Sequence, residues 1–115
     1  MTDDDEKKAA ETARRLAARL LCFGFDGTEV NDHAREMIAL GAGAVIIFSR
    51  NIVDPKQVAR LCADLKRHAW PRPLMVMVDQ EGGRVARLRA PHYTEVPPAG
   101  RIGCVAEAFV CPSVC

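Results

Sequence analysis

Residues 74–88, which read LMVMVDQEGGRVARL, decide the fold of this chain. Five apolar residues come first without polar alternation, and such a run predicts a strand that is buried on both faces. Asp79 stands at the carboxyl end of this strand, followed by two glycines and two arginines. Ligands of open α/β sheets bind beyond the carboxyl ends of the strands. The stretch therefore predicts a parallel strand that brings an acid, a tight turn and two cations to a binding edge.

Two apolar segments further upstream, residues 20–25 and 43–48, predict the other strands of the sheet. Amphipathic patterns flank them and predict helices over residues 4–20, 31–40 and 54–68. Apolar strands that alternate with amphipathic helices form parallel βαβ units. We therefore expect an α/β fold built of parallel βαβαβ units.

Capping residues mark the ends of two of these helices. Asn31 and Asp54 have side chains that cap a helix N-terminus, and Pro55 suits the first helical position. Gly41 suits the left-handed residue that ends a helix. These positions fix the predicted helix boundaries more closely than the apolar pattern does.

The composition argues against several classes of function. The chain has 115 residues, a formal net charge of +1 and 5% aromatic residues. Balanced charge and few rings argue against a nucleic-acid partner, and no apolar run is long enough to cross a bilayer. The acidic residues 3–6 lack the basic start of a signal peptide. We expect a cytoplasmic protein without a membrane partner.

The five cysteines do not predict a metal centre. Cys22 and Cys62 lie in apolar segments, where a buried reduced thiol is the ordinary interpretation. Cys104, Cys111 and Cys115 lack the close pair and the nearby histidine of a zinc site. We predict neither a metal nor a cofactor.

The residues after the third strand suit a sugar-binding site. The carboxylate of Asp79 can accept hydrogen bonds from neighbouring hydroxyls, and Gly82 and Gly83 let the backbone pass close to a ligand. Arg84 and Arg87 can bind oxygens or pair with acids. The alternative is an ion-pair cluster of these groups with the nearby acid of residue 81, which would only shape a loop.

The ends of the first two strands carry further polar residues. Arg50 follows the second strand and lies on the predicted ligand side. Asp26 precedes a glycine, so a turn role is favoured over a site role. His68 lies at a helix end and is interpreted as a surface residue. A nucleotide-binding module would need a glycine-rich Gly-x-Gly-x-x-Gly loop, which residues 24–27 do not supply.

Several segments together resemble one enzyme family. Residues 79–85, DQEGGRV, closely resemble the signature of glycoside hydrolase family 3, especially its bacterial β-N-acetylhexosaminidases. Residues 24–29, GFDGTE, resemble the first-strand turn of that family, and residues 45–51, VIIFSRN, resemble its second strand and end. Residues 96–98, VPP, fall where the family has a proline pair. The resemblance covers roughly residues 15–103.

This resemblance implies the first three strands of a (β/α)₈ TIM barrel, whose active site lies at the carboxyl ends of the strands. It implies that Asp79 holds hydroxyls of a terminal N-acetylglucosamine and that Arg87 contributes to the same sugar site. It implies a supporting role for Arg84, which would pair with acids and order the loop. Glu81 is a structural residue in this interpretation. The other supporting residues are Arg50, Gly82 and Gly83.

The resemblance also implies retaining hydrolysis through a covalent glycosyl-enzyme. The family's nucleophilic carboxylate and its acid/base histidine lie beyond the third strand, as does a Lys-His pair that contacts the sugar. His33, His68 and His92 do not match the catalytic histidine in place or context. No catalytic residue is therefore assigned, and we expect little or no turnover from these residues alone.

The substrate implied is a terminal β-linked N-acetylglucosaminide, such as a cell-wall muropeptide fragment. Two alternatives stay open at this point. One is a non-catalytic sugar-binding or regulatory remnant, and the other is a β-glucosidase-type member of the same family.

The resemblance ends near residue 103, and residues 104–115 are interpreted as a divergent tail after a partial barrel domain over residues 1–103. A complete barrel of this kind needs about 250 residues. A truncated gene model, an alternative transcript or a frameshift would each explain the difference. Three open strands leave a free edge and an exposed apolar face, so we expect the isolated chain to be unstable or to need a partner.

Overall fold

The computed structural model describes the backbone of residues 2–110 and the side chains of residues 2–105. The chain divides into two compact units, the first ending at Val78 and the second starting at Asp79. The elements of the described part are, in order, α1 (Asp3–Ala18), β1 (Cys22–Phe23), α2 (Asp32–Leu40), β2 (Ala44–Ile47), a 3₁₀ turn (Ser49–Asn51), α3 (Pro55–Ala69), β3 (Met75–Val78), β4 (Gln80–Gly82), β5 (Val85–Ala86) and α4 (Ala99–Val110).

The first unit contains a parallel sheet in the order β1, β2, β3. Phe23 pairs with Val45 on β2, and Val45 pairs with Val76 on β3. The predicted α/β class and the parallel βαβαβ order are therefore confirmed. The first strand is shorter than the apolar run predicts, because only Cys22 and Phe23 join the sheet.

The core of this unit lies between one face of the sheet and helices α2 and α3. Val45 and Ile47 point from β2 into this core, where they meet Ile38 of α2 and Leu65 of α3. The buried apolar cluster comprises Phe23, Phe25, Ala34, Ile38, Ala42, Val45, Ile47, Leu61, Leu65, Ala69 and Leu74. Burial of the larger side chains among them, those of Phe, Ile, Leu and Val, stabilises a fold by about 1.5–3 kcal/mol each.

The other face of the sheet is open, so the prediction that β3 is buried on both faces is wrong. Met75 is 63% exposed and Met77 is 40% exposed, and Cys22 is exposed on the same face. The Sγ atom of Cys22 lies 3.9 Å from the Sδ atom of Met77. An unalternating apolar strand usually has a layer on each side, but here the described core lies on one side alone. The expected exposed apolar face is therefore observed.

The predicted caps of α2 and α3 are confirmed. The side chain of Asn31 accepts a hydrogen bond from the backbone of Ala34, and Gly41 ends α2 with a φ of 110°. The side chain of Asp54 accepts from the backbone of Gln57, and Pro55 is the first residue of α3. Local side chains thus satisfy backbone donors that the helix itself leaves unpaired.

Helix α1 begins with a reciprocal capping box. The Thr2 side chain accepts from the Asp5 backbone, and the Asp5 carboxylate accepts from the Thr2 backbone. The backbone hydrogen bond from Thr2, together with that from its hydroxyl, lowers the pKa of the Asp5 carboxyl below its usual value. Ala18 is the buried residue of this helix, whereas the apolar side chain of Leu16 is 60% exposed.

The second unit contains elements that the apolar pattern did not predict. Strands β4 and β5 form an antiparallel ladder with an irregular register between Gln80 and Gly82. Helix α4 lies in a stretch for which the sequence pattern predicted no element, and it crosses the predicted boundary at residue 103. That boundary stays a prediction, and residues 111–115 of the predicted tail lie outside the described residues.

Candidate sugar-binding site

The structure brings the two principal candidates together within the second unit. A terminal nitrogen of the Arg87 guanidinium lies 3.8 Å from the Oδ2 atom of Asp79. The side chain of Arg87 is 28% exposed and that of Asp79 is 45% exposed. The pair is therefore long for a charge-assisted hydrogen bond, and the carboxylate remains open to solvent.

Gln80 fixes the backbone that carries Arg87. Its Oε1 atom accepts from the backbone N–H groups of Arg87 and Leu88, at 2.9 and 3.0 Å. Its Nε2 atom donates to the backbone carbonyl of Leu88 at 2.9 Å. The sequence did not predict this role. Nothing in the residues next to Gln80 indicates that its side chain binds the backbone of Arg87.

The glycine pair makes room for the protein's own backbone. Gly82 has a φ of 86°, and a Cβ atom there would lie 2.3 Å from the carbonyl oxygen of Pro97. Gly83 has a φ of 58°, and its N–H donates to the carbonyl of Val96 at 3.0 Å. The two glycines do allow a close approach of the backbone, as predicted. Among the described residues, the group they approach is the segment around Val96 and Pro97. The glycines thus hold the motif in place against that segment.

The predicted pairing of Arg84 with acids is not formed among the described side chains. Arg84 is exposed, and its backbone carbonyl instead accepts from the guanidinium of Arg89 at 2.8 Å. The same guanidinium donates to the carbonyl of Ala86 at 2.8 Å. Arg89 therefore orders the loop that was assigned to Arg84, and of the possible ion-pair cluster only the contact of Asp79 with Arg87 is formed in this part of the chain.

Arg50 lies in the first unit, at the carboxyl ends of β1 and β2. Its Nε atom lies 2.8 Å from the Oδ1 atom of Asp26 and 3.1 Å from the carbonyl oxygen of Phe25. Its guanidinium carbon lies 4.8 Å from the centre of the Phe48 ring. Asp26 is thus both a turn residue and the ion-pair partner of Arg50, and together they tie the two strand ends to each other.

Asn51 is the buried polar side chain beneath this pair. Its Nδ2 atom donates to the carbonyls of Phe25 and Gly27, at 3.1 and 2.7 Å. Its Oδ1 atom accepts from the backbone N–H of Phe48 at 2.9 Å. From the sequence, Asn51 was assigned to the end of a strand without a role. The one available signal was its amide, which can both donate and accept hydrogen bonds.

In the described part of the chain, no cluster of His, Cys, Asp and Glu side chains could hold a metal ion. None of the helices among the described residues is long and apolar enough to cross a membrane.

Comparisons with known proteins agree with the family resemblance of residues 79–85. The chain is 44% identical over 85 residues to a β-hexosaminidase of Stenotrophomonas maltophilia, an alignment that covers 73% of this chain and 25% of that protein. It is 43% identical over 81 residues to a β-hexosaminidase of Thiobacillus denitrificans, covering 69% of this chain and 22% of that protein. No protein-family model matches the chain.

Solved structures show the same relationship. The fold superposes on a glycoside hydrolase family 3 β-N-acetylglucosaminidase of Paenibacillus with a TM-score of 0.75 and 37% sequence identity. That match covers 84% of this chain and 19% of the other. The predicted similarity to family 3 β-N-acetylhexosaminidases is therefore confirmed. The chain spans about a quarter of the length of the curated relatives it matches.

Proposed function

We propose that the chain is an N-terminal part of a glycoside hydrolase family 3 barrel domain, and that Asp79 and Arg87 bind hydroxyls of a terminal β-linked N-acetylglucosamine. The observation that carries this proposal is the contact between these two side chains, 3.8 Å apart. It is supported by the confirmed similarity to β-hexosaminidases.

The geometry of the pair suits hydroxyl recognition. Each carboxylate oxygen of Asp79 can accept more than one hydrogen bond, and the guanidinium of Arg87 offers donors in a planar fork. At 3.8 Å the two groups attract each other but lie beyond direct hydrogen-bond distance of one another. A sugar hydroxyl can donate to Asp79 and accept from Arg87, so it satisfies both charged groups at once.

The surrounding backbone keeps the pair in place for this role. Gln80 binds the backbone of Arg87 directly, and Gly82 packs against Pro97 so closely that no Cβ atom fits. A binding group that is held before the ligand arrives loses less conformational entropy on binding. The loop therefore acts as one preorganised wall of a sugar pocket.

The role of these residues is binding and orientation. In retaining hydrolysis a carboxylate attacks the anomeric carbon and a second group protonates the leaving oxygen. None of the residues of this chain matches either group, so Asp79 and Arg87 hold the sugar while chemistry takes place elsewhere. The proposed physiological substrates are N-acetylglucosaminides such as muropeptide fragments, and the proposed location is the cytoplasm.

The parallel sheet fits the beginning of a (β/α)₈ barrel. Its packed face meets α2 and α3, as the outer face of a barrel strand meets its helices. Its open face carries Met77, which suits the side chains that fill a barrel interior.

The test is a titration of the 115-residue chain with N-acetylglucosamine. Binding is measured from the NMR chemical-shift changes of the backbone amides of residues 79–88. We expect saturable shifts that weaken at least about tenfold in Asp79→Asn and in Arg87→Lys, since each change removes charge or fork geometry. Glu81→Gln is the matched control, because Glu81 is exposed and we expect its change to leave affinity within about twofold.

A chromogenic N-acetylglucosaminide assay separates the outcomes further. We expect binding with little or no turnover. Equal losses in Asp79→Asn and Glu81→Gln would contradict the proposed site, and rapid turnover abolished by Asp79→Ala would show that the chain does hold catalytic groups. Tighter binding of glucose than of N-acetylglucosamine would favour a β-glucosidase-type specificity.

A further inference from the structure

A polar cleft lies in the first unit, at the end of the sheet where the strands begin. It has a volume of about 270 Å³ and lies between the second half of α1, the end of α2 and the segment before β3. Arg15 and Arg19 line it from α1, and Arg72 lines it from the other side. Arg50 and Asp26 lie at the opposite ends of the strands, so this cleft is separate from them.

The cleft carries an excess of positive charge. Among the side chains that line it, three are guanidinium groups and one, that of Glu11, is a carboxylate. Arg15 and Arg19 form no ion pair with a described side chain. Arg72 donates to the backbone carbonyls of Ile38 and Gly41 at the C-terminal end of α2, so its described partners include no carboxylate.

Close contacts fix the backbone of Arg19 and the side chain of Arg72. Gly43 lies so close to Arg19 that a Cβ atom would stand 2.1 Å from the Arg19 carbonyl oxygen. The bonds from Arg72 to the end of α2 hold the opposite wall. The arginine backbone at the two walls is therefore set by close packing and hydrogen bonds before any ligand binds.

An apolar cleft of about 230 Å³ adjoins the polar one and shares Arg19 and Arg72 with it. Its other walls include Gly43, Pro73 and Met75. A ligand that spans both clefts therefore needs an anionic head and a compact apolar body.

We propose that these two clefts bind a phosphate monoester, with its phosphate between Arg15, Arg19 and Arg72 and its body against Pro73 and Met75. Phosphate matches the guanidinium fork in a bidentate manner. A monoester also keeps up to two negative charges at neutral pH, which balances the excess positive charge of the cleft. The proposal is independent of the sugar site, because it uses none of the residues after Val78.

The test is titration of the 115-residue chain with phenyl phosphate, inorganic phosphate and phenol at constant ionic strength, followed by calorimetry. We expect saturable binding of phenyl phosphate, about tenfold weaker binding of inorganic phosphate and none of phenol. Arg15→Gln combined with Arg19→Gln should weaken phenyl phosphate at least about tenfold, since it removes two of the three charged donors. Arg14→Gln is the matched control, because Arg14 lies on the same helix but does not line the cleft, and we expect a change below about twofold.

Circular dichroism of each variant checks that α1 and α2 remain folded. Equal weakening by Arg14→Gln and by the double variant would overturn the proposal, since it would show attraction to general surface charge. Binding of inorganic phosphate as tight as that of phenyl phosphate would overturn the assignment of a monoester. Absence of saturation, or a chain without helical signal, would overturn the proposal as a whole.

Discussion

Single residues whose side chains bind nearby backbone groups fix the ends of β1 and β2 and the loop that carries Asp79 and Arg87. Asn51 satisfies two carbonyls and one N–H group with a single amide. Gln80 satisfies two N–H groups and one carbonyl in the loop around Arg87. Both side chains replace water as partners of backbone groups, and leaving such groups unsatisfied costs about 1–3 kcal/mol each.

Asn51→Asp should lower the free energy of unfolding by about 3 kcal/mol. The change keeps the shape but replaces two N–H donors with an oxygen that faces the carbonyls of Phe25 and Gly27. Urea unfolding followed by circular dichroism measures the loss. Asn31→Asp is the control, because it also removes a donor to a carbonyl, that of Asp26, but at an exposed position, and Oδ1 still caps α2; we expect a loss below about 1 kcal/mol there. Equal losses in the two variants would contradict the buried role of Asn51.

At the scale of the elements, packing between the glycine pair and residues 96–98 holds the β4–β5 ladder. Gly82 and Gly83 both have positive φ, which glycine adopts without strain. The N–H of Gly83 donates to Val96 across this contact. A short two-stranded ladder is marginal by itself, so this contact supplies much of its support.

Gly82→Ala should release the contact with residues 96–98 and speed amide hydrogen exchange at Gly83 by at least about tenfold, which corresponds to about 1.4 kcal/mol. The added Cβ would lie 2.3 Å from the carbonyl oxygen of Pro97, which is backbone and cannot rotate away. Sugar binding should fall in parallel, since the loop carries Asp79 and Arg87.

Gly27→Ala separates the clash from backbone strain. Gly27 also has a positive φ, of 96°, but nothing lies within 4 Å of its added Cβ. We expect a modest loss of stability and no faster exchange at Gly83. Similar exchange rates at Gly83 in the two variants would show that the clash with Pro97 has no influence.

At the scale of the whole molecule, the open face of the sheet is the dominant feature of the first unit. Met75 and Met77 are exposed on it beside Cys22, without a charged residue between them in β3. Exposed apolar faces and uncharged edge strands promote association. The expectation that the isolated chain is unstable or needs a partner follows from this face and stays a prediction.

Heating the isolated chain should give a broad transition and concentration-dependent light scattering. Met77→Lys should reduce the scattering several-fold, because a charged ammonium on this face opposes contact between apolar surfaces. Lys66→Met is the matched control, because Lys66 is exposed on α3, away from the open face. A methionine at that position should not promote association in the way that Met77 does. A sharp, reversible transition of a monomer, unchanged by Met77→Lys, would contradict this prediction.

The sequence by itself determined the features that depend on neighbours in the chain. The caps at Asn31 and Asp54, the end of α2 at Gly41 and the order of parallel strands follow from local hydrogen bonding and apolar period. The closeness of Asp79 to Arg87 was suggested by their spacing in one motif, and its function in sugar binding stays a proposal.

Only the tertiary structure decided the features that depend on distant contacts. The two faces of β3 differ because packing covers one and leaves the other open, and no pattern within the strand distinguishes them. The glycine pair meets residues 96–98, and Arg89 rather than Arg84 orders the loop, because backbone positions set by folding decide which partners come within reach. Local chemistry therefore placed the elements, and non-local packing decided which of their side chains form the site.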